Sequence, residues 1–217
     1  MRHLERTDKP QQLIDNAENW TANFILSGLD RPNYRQYGHI EIKEALGNIS
    51  FNKCFYSEVK FPHLNEAQVD HYIEVSEDKA KAFEWENLYL SHKNSNQGKI
   101  TNRRLPNSHC LNPFTDNDDE IESSLYFEDE VMLGRDEKGL NTIKKYHLYK
   151  DLYNILRAKE LQKFYKILEA IYLSIQNNEM KNEASTSDLA SLKSFANPDR
   201  PFSLMFKLLL KERYNLL

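Results

Sequence analysis

The reading turns on 68-QVDHYIE-74 taken together with 85-WENLYLSHKNSNQGK-99. In the first stretch Val69, Tyr72 and Ile73 have the β-branched and aromatic character of a strand. Asp70 and His71 interrupt it with two groups that ionise or bind metal. In the second, Asn87 lies sixteen residues after His71, Asn96 nine residues after Asn87, and Lys99 three further on, as N-x-G-K. The segments 54-CFYSEVKF-61 and 68-QVDHYIEV-75 read as two strands joined by a hairpin-like FPHLNEA, followed by a charged loop, 76-SEDKAKAFE-84. The run 94-NSNQGKITNRR-104 then predicts a short helix with a glycine inside it. Strand, strand, loop and helix in that order can bring Asp70, His71 and Asn96 to one concave spot, with Asn87 where the chain re-enters order.

Those residue types suit phosphodiester hydrolysis. Asp70 and Asn96 offer two hard oxygen ligands of the kind Mg²⁺ (or Mn²⁺) prefers, and leave coordination positions for water and phosphate. His71 can take a proton from an attacking water near neutral pH. Asn87 has an amide that can pin the loop or the imidazole. Lys99 offers a point charge for a phosphate, and Arg103 and Arg104 read either as a phosphate-facing patch or as a solvated helix end.

With these gaps, Asp-His, Asn and Asn-x-Gly-Lys resemble the ββα-metal, or HNH, nuclease motif in its Asp-His-Asn-Asn form. The resemblance implies His71 as general base, Asp70 and Asn96 as metal ligands, and Asn87 as the positioning asparagine. The flanks extend it over roughly residues 15 to 160. KCFYSE resembles one Cys-x-x-Cys knuckle, and 85-WENLYLSHKNSN-96 the segment that carries the second. The stretches 111-LNPFTDNDDEIESSLYF-127 and 140-LNTIKKYHLYKDLYNILR-157 resemble the downstream region of the HNH subunits (PtuB) of Septu antiviral systems, which also occur as retron effectors. That branch implies an ABC/SMC-like (PtuA-like) ATPase partner and a nucleic-acid substrate, DNA or an RNA such as tRNA. In the retron setting it also implies a reverse transcriptase with its msDNA. The sequence departs from the family at the knuckle, where the four positions are Cys54, Ser57, His92 and Ser95. Serine is a poor zinc ligand at neutral pH, so a structural Zn²⁺ is expected to be absent. Cys54 and His92 joined by His109 or Cys110 are the alternative metal set.

The fold expected is α+β: a central ββα-metal unit flanked by N-terminal helices and a helical C-terminal extension. The regions are 1–50 (helical), 51–135 (nuclease core and following hairpin) and 136–217 (helical), packed as one unit. Residues 10–27 predict a helix with Leu13, Ile14, Ala17, Trp20, Phe24 and Leu26 on one face, stopped by Gly28. Residues 40–46 read as a short helix or an extended segment ended by Gly47. The acidic 116-DNDDE-120 reads as a solvated loop, lacking the spacing of a calcium loop, and 122–134 as a small hairpin. Helix begins at Asn141, an expected N-cap, with one apolar stripe through Ile143, Leu148, Leu152, Ile155 and Leu156. A second runs through Leu161, Phe164, Leu168, Ile171, Tyr172 and Ile175. Residues 177–187 form a polar connection, Ser187 caps a helix to Phe195, and a last apolar helix covers 202–214, either buried within the chain or forming a subunit interface.

Composition narrows the class. With 217 residues and 40% hydrophobic content, a packed core needs no staples. A net charge of −4 means that the chain as a whole does not advertise nucleic-acid binding, so a local patch or a basic partner has to supply the phosphate grip. Two distant cysteines give no disulfide framework, and no window is apolar enough for a membrane span or a signal peptide, so the expected compartment is the cytoplasm, with no membrane contact. The competing reading is a catalytically weak HNH-fold module that docks the ATPase.

Overall fold

The computed structural model describes residues 1–177 and 183–217. It is an α+β chain in which helices surround two small antiparallel sheets. Helix α1 (Gln11–Ser27) follows Pro10 and ends where Gly28 takes φ +68°, the left-handed conformation that glycine adopts without a Cβ penalty. Its buried residues are Leu13 and Phe24; Trp20 and Phe24 pack against Phe83. Ile14 and Leu26, expected on that face, are exposed, so the apolar stripe is narrower than the sequence indicated. The connection over 32–38 contains a single turn, α2 (Tyr34–Tyr37), capped by Asn33.

The ambiguous 40–46 segment is helical: α3 (Ile40–Ser50) runs through Gly47 and stops at Phe51 in the left-handed region. Gly47 is there for space, since a Cβ would meet Asn52 Oδ1 at 2.5 Å and the Leu64 side chain at 3.1 Å.

The expected hairpin between 54–61 and 68–75 does not form. Residues 53–60 are a tight loop closed by a Lys53–Lys60 bridge. Strand β1 (Gln68–His71) pairs instead with β2 (Leu88–Ser91), with Asp70 opposite Tyr89 and His71 opposite Leu88. The four residues of β2 are all buried, so its apolar run could not announce itself by alternation. The charged loop before it is half-structured: a 3-10 turn, Lys79–Phe83, buries Ala82 and Phe83, and a second, Trp85–Asn87, leads into β2. Trp85 is buried, with its indole N–H donated to the Thr7 carbonyl at 2.9 Å.

Helix α4 (Lys93–Thr101) follows β2 directly and packs on β1. The stretch expected as a solvated acidic loop begins α5 (Asp118–Ser124), because Asn117 and Glu120 form a capping box. Asp116 is buried and holds Lys138 at 2.6 Å. The small hairpin is β3 (Leu125–Glu128) with β4 (Val131–Gly134).

Helix α6 (Glu137–Lys145) starts before Asn141 because Asp136 is the cap, its side chain accepting from Gly139 N. The long α7 (Asp151–Gln176) buries Tyr153, Arg157, Leu161, Phe164 and Ile171, while Leu152, Ile155 and Tyr172 of the expected stripes face outwards. The polar connection expected over 177–187 lies partly outside the described residues. Ser185, not Ser187, caps α8 (Thr186–Lys193). The last helix, α9 (Ser203–Leu208), widens into a π-turn over Leu209–Arg213, and Leu204, Met205, Phe206, Leu208 and Leu210 are buried within the chain. Phe164, Phe195 and Phe206 make its aromatic contact with α7. Among the described residues no helix is long and apolar enough to cross a membrane.

Candidate functional site

The site is built where β1, β2 and α4 meet. Successive strand residues point to opposite sides, so Gln68 and Asp70 share one side of β1 and Val69 and His71 the other. Helix α4 covers the first side. The Asn96 amide donates to Gln68 Oε1 at 3.0 Å, and one turn later the Lys99 ammonium meets Asp70 Oδ1 at 3.0 Å. Lys99 also pairs with Glu74 Oε1 at 3.0 Å and bonds the His71 carbonyl. The Tyr56 hydroxyl donates to the other Asp70 oxygen at 3.4 Å. Asp70 and Lys99 are both buried. Burial by itself would lower the Lys99 ammonium, but two carboxylates outweigh it and raise it, so Lys99 stays charged.

On the other side His71 is buried with its ring 4.5 Å from that of Tyr37. Its Nε2 lies 2.9 Å from the Ala82 carbonyl. A carbonyl only accepts, so Nε2 carries the proton and the neutral ring keeps its lone pair on Nδ1. Burial, working against the Ala82 bond and the Asp70 charge, lowers the pKa of the imidazole.

Asn87 makes this arrangement possible. It accepts from Ile73 N at 2.7 Å and donates to Ile73 O at 3.1 Å and Lys81 O at 2.9 Å. It therefore fixes the residue next to Ala82, and through it the direction of the His71 ring. Its own carbonyl accepts from Tyr72 N at 2.8 Å, extending the β1–β2 ladder by one bond.

The residues singled out from the sequence thus fall into two joined groups. Asp70 is coupled to Lys99 across α4, and His71 to Asn87 through the 81–82 turn. Asn96 is half-buried and bonded to Gln68, with no hydrogen bond to Asp70. A phosphate-facing Lys99 does not fit this placement, since the ammonium is enclosed by carboxylates. Arg103 and Arg104 are exposed in the turn after α4 and not on the helix, and among the described residues neither makes an ion pair. Sequence reasoning passed over Glu74, Gln68 and Tyr56. The first lies inside 68-QVDHYIE-74, where a third ionisable side chain beside Asp-His was the available signal.

The four knuckle positions do come together. Cys54 Sγ accepts from Ser57 N at 3.4 Å and His92 N at 3.2 Å, and lies 3.9 Å from Ser95 Oγ. One thiol, one imidazole and two hydroxyls do not fit the tetrahedral thiolate set of a structural zinc. His109 and Cys110 take no part: the Cys110 thiol bonds the Pro106 carbonyl, and His109 is exposed. Among the described residues no cluster of three His, Cys, Asp or Glu side chains is spaced to hold a metal. An ion at Asp70 would have to draw on amide oxygen and water as well.

No known family profile matches the chain. It is similar to the Septu protein PtuB of Bacillus thuringiensis, 28% identical over 152 residues, which is 68% of this chain and 54% of that protein. The chain thus spans about half the length of the curated relative it matches. The resemblance first drawn from the Asp-His, Asn and Asn-x-Gly-Lys spacing and its flanks is borne out at this level: the chain stands in a PtuB-like relationship.

Proposed function

We propose that the chain is a metal-dependent nuclease of the HNH type, cleaving nucleic-acid phosphodiester bonds as the effector of a Septu-type antiphage complex with an ABC/SMC-like ATPase. The observation that carries this reading is the His71 ring. A buried neutral imidazole with Nε2–H fixed on the Ala82 carbonyl, in a turn pinned by Asn87, keeps its basic lone pair on Nδ1, the form a general base needs. The PtuB likeness supports the cellular role and the partner.

The donors around Asp70 are of the type a hard divalent ion takes, and such an ion would have to share Asp70 with the Lys99 ammonium that already holds its Oδ1. Asp70 and Glu74 set two carboxylates against one ammonium, and Asn96, having given its NH₂ to Gln68, keeps its Oδ1 as an acceptor. Asp70 and Asn96 would hold Mg²⁺ or Mn²⁺, which when bound supplies positive charge to the phosphate and leaving oxygens. Tyr56 orients the Asp70 carboxylate. His71 accepts the proton of the attacking water at Nδ1, and Asn87 keeps the ring from turning. In this reading Arg103 and Arg104, exposed beyond the end of α4, contact the phosphate backbone.

One observation favours the second reading, an assembly module of weak activity: both Asp70 oxygens already have partners, one of them a cation. The two are separated by His71→Ala in the ATPase complex. The nuclease reading expects cleavage of labelled DNA or total RNA in Mg²⁺ to fall about 10²–10⁴-fold, with phage protection lost while the complex stays assembled. It also expects one bound Mn²⁺ per chain by electron paramagnetic resonance, abolished in Asp70→Asn. Protection that survives His71→Ala, with no Mn²⁺ bound, would leave the module.

A further inference from the structure

The knuckle keeps its shape without the metal chemistry that would normally explain it. Cys54 receives two backbone N–H groups on its sulfur, as a knuckle ligand does. Glu58, four residues on, sits at φ +57°, and its N–H closes onto the Cys54 carbonyl at 3.0 Å. A non-glycine residue in that region costs about 1 kcal/mol, so something holds the turn. Cys54, Ser57 and Ser95 are buried, and His92 caps α4 with Nδ1 accepting from Asn94 N at 3.2 Å.

The space between these four positions is filled from far away in the chain. Tyr153, in the first turn of α7, is fully buried. Its hydroxyl lies 2.8 Å from Ser95 Oγ and 3.2 Å from His92 Nδ1. We propose that the Tyr153 hydroxyl takes the place of a structural zinc, closing the Cys54–Ser57–His92–Ser95 knuckle by hydrogen bonds and tying α7 to the strand–strand–helix unit.

The donors and acceptors run in one direction, with the single His92 Nδ1 lone pair shared between the Asn94 N–H and the Tyr153 O–H. The Cys54 thiol donates to Ser95 Oγ, the Ser95 hydroxyl to the Tyr153 oxygen, and the Tyr153 O–H to His92 Nδ1. That order needs every member in its neutral form. Burial raises the Tyr153 phenol, with hydrogen bonds from Ser95 and Ser57 opposing it only in part, and burial lowers the His92 imidazole. Zinc would require the reverse, a thiolate and an empty centre. A chain of neutral groups is satisfied only when all are present, so the closure should be cooperative. Its reach extends to the candidate site, because Ser95 precedes Asn96 and lies one turn before Lys99 on α4. The inference stands whether or not the nuclease reading holds.

The test begins with the native chain, purified with Zn²⁺ in every buffer, its metal content measured and its melting followed with and without a strong chelator. The expected result is well under one zinc per chain and no shift with chelator. Tyr153→Phe, which removes only the hydroxyl, is expected to raise the unfolding equilibrium constant about tenfold or more. Two designed chains give the converse. Ser57→Cys, His92→Cys and Ser95→Cys together with Tyr153→Ala should bind one Zn²⁺ and melt higher with it; the same three changes with Tyr153 kept should bind zinc at least tenfold more weakly. Stoichiometric zinc in the native chain, or a Tyr153→Phe chain as stable as the native one, would overturn the proposal.

Discussion

Asn87 shows how much one buried amide can organise. All three of its side-chain hydrogen bonds go to backbone, two at Ile73 fourteen residues back and one at Lys81 within the loop, so it ties the start of the 72–87 loop to its middle and its end. Asn87→Ala leaves the Ile73 N–H and two carbonyls without these partners in a half-buried setting. The expected loss is about 2–4 kcal/mol in chemical denaturation, with amide exchange accelerating over residues 72–83 while α7 stays protected. The Asp70–Lys99–Glu74 cluster works differently, because Asp70 and Lys99 are buried together and Glu74 closes the group from the half-exposed side. Its worth lies in fixing α4 on β1, since buried pairs contribute little net stability yet strongly resist loss of one partner. Reading Lys99 as an exposed phosphate contact failed because a lysine in a polar helix carries no local sign of the carboxylates that will enclose it.

At the level of elements, α4 is decided by its glycine. Gly98 faces the end of α6, where a Cβ would come within 2.7 Å of the His147 ring and 2.9 Å of the backbone at Tyr146 and His147. An exposed helical glycine replaced by alanine gains about 1 kcal/mol from propensity. Here the clash involves backbone that cannot swing aside, and overpacking of this kind costs about 1–3 kcal/mol. Gly98→Ala is therefore expected to lower the melting temperature rather than raise it, as differential scanning calorimetry would register. The strand pairing teaches a related lesson. CFYSEVKF has the composition of a strand but spends it on a knuckle, whose inward side chains are aromatic and whose sulfur takes backbone donors. β1 finds its partner across the 72–87 loop because LYLS is apolar on both faces and can be covered on both.

Across the whole molecule, the knuckle is clamped to the C-terminal helix through Glu58. Its carboxylate accepts from Ser203 Oγ at 2.7 Å and Leu204 N at 3.1 Å, and pairs with Lys53 at 3.1 Å and the Met1 amine at 3.3 Å. Burial works to raise this carboxyl, but the Met1 amine, Lys53 and Ser203 prevail and hold it well below its ordinary 4.5. A carboxyl depressed in the folded state stabilises the fold above its unfolded pKa and loses that contribution as pH falls towards its folded value. Glu58→Gln is expected to lose about 3–5 kcal/mol at pH 7, since it leaves the buried Lys53 ammonium unpaired. The gap from the native chain should stay constant from pH 7 down to about 5 and narrow below 4.5, which denaturant titrations across pH would trace.

The sequence by itself determined the α+β class, the Asp70–His71–Asn87–Asn96 spacing, the extent of α1 and the PtuB-like relationship, because those depend on residue type and interval along one stretch of chain. It made Asn117, Asp136 and Ser185 available as caps, but local pattern could not rank them against Asn141 and Ser187. The tertiary structure alone decided which strand meets β1, that Lys99 is enclosed by Asp70 and Glu74, that Asn96 turns to Gln68, and that Tyr153 closes the knuckle. Each of these joins residues whose separation along the chain exceeds any helical or strand period. Burial in a shared core, and the need to satisfy every polar group taken into it, select such partners only once the whole chain has packed.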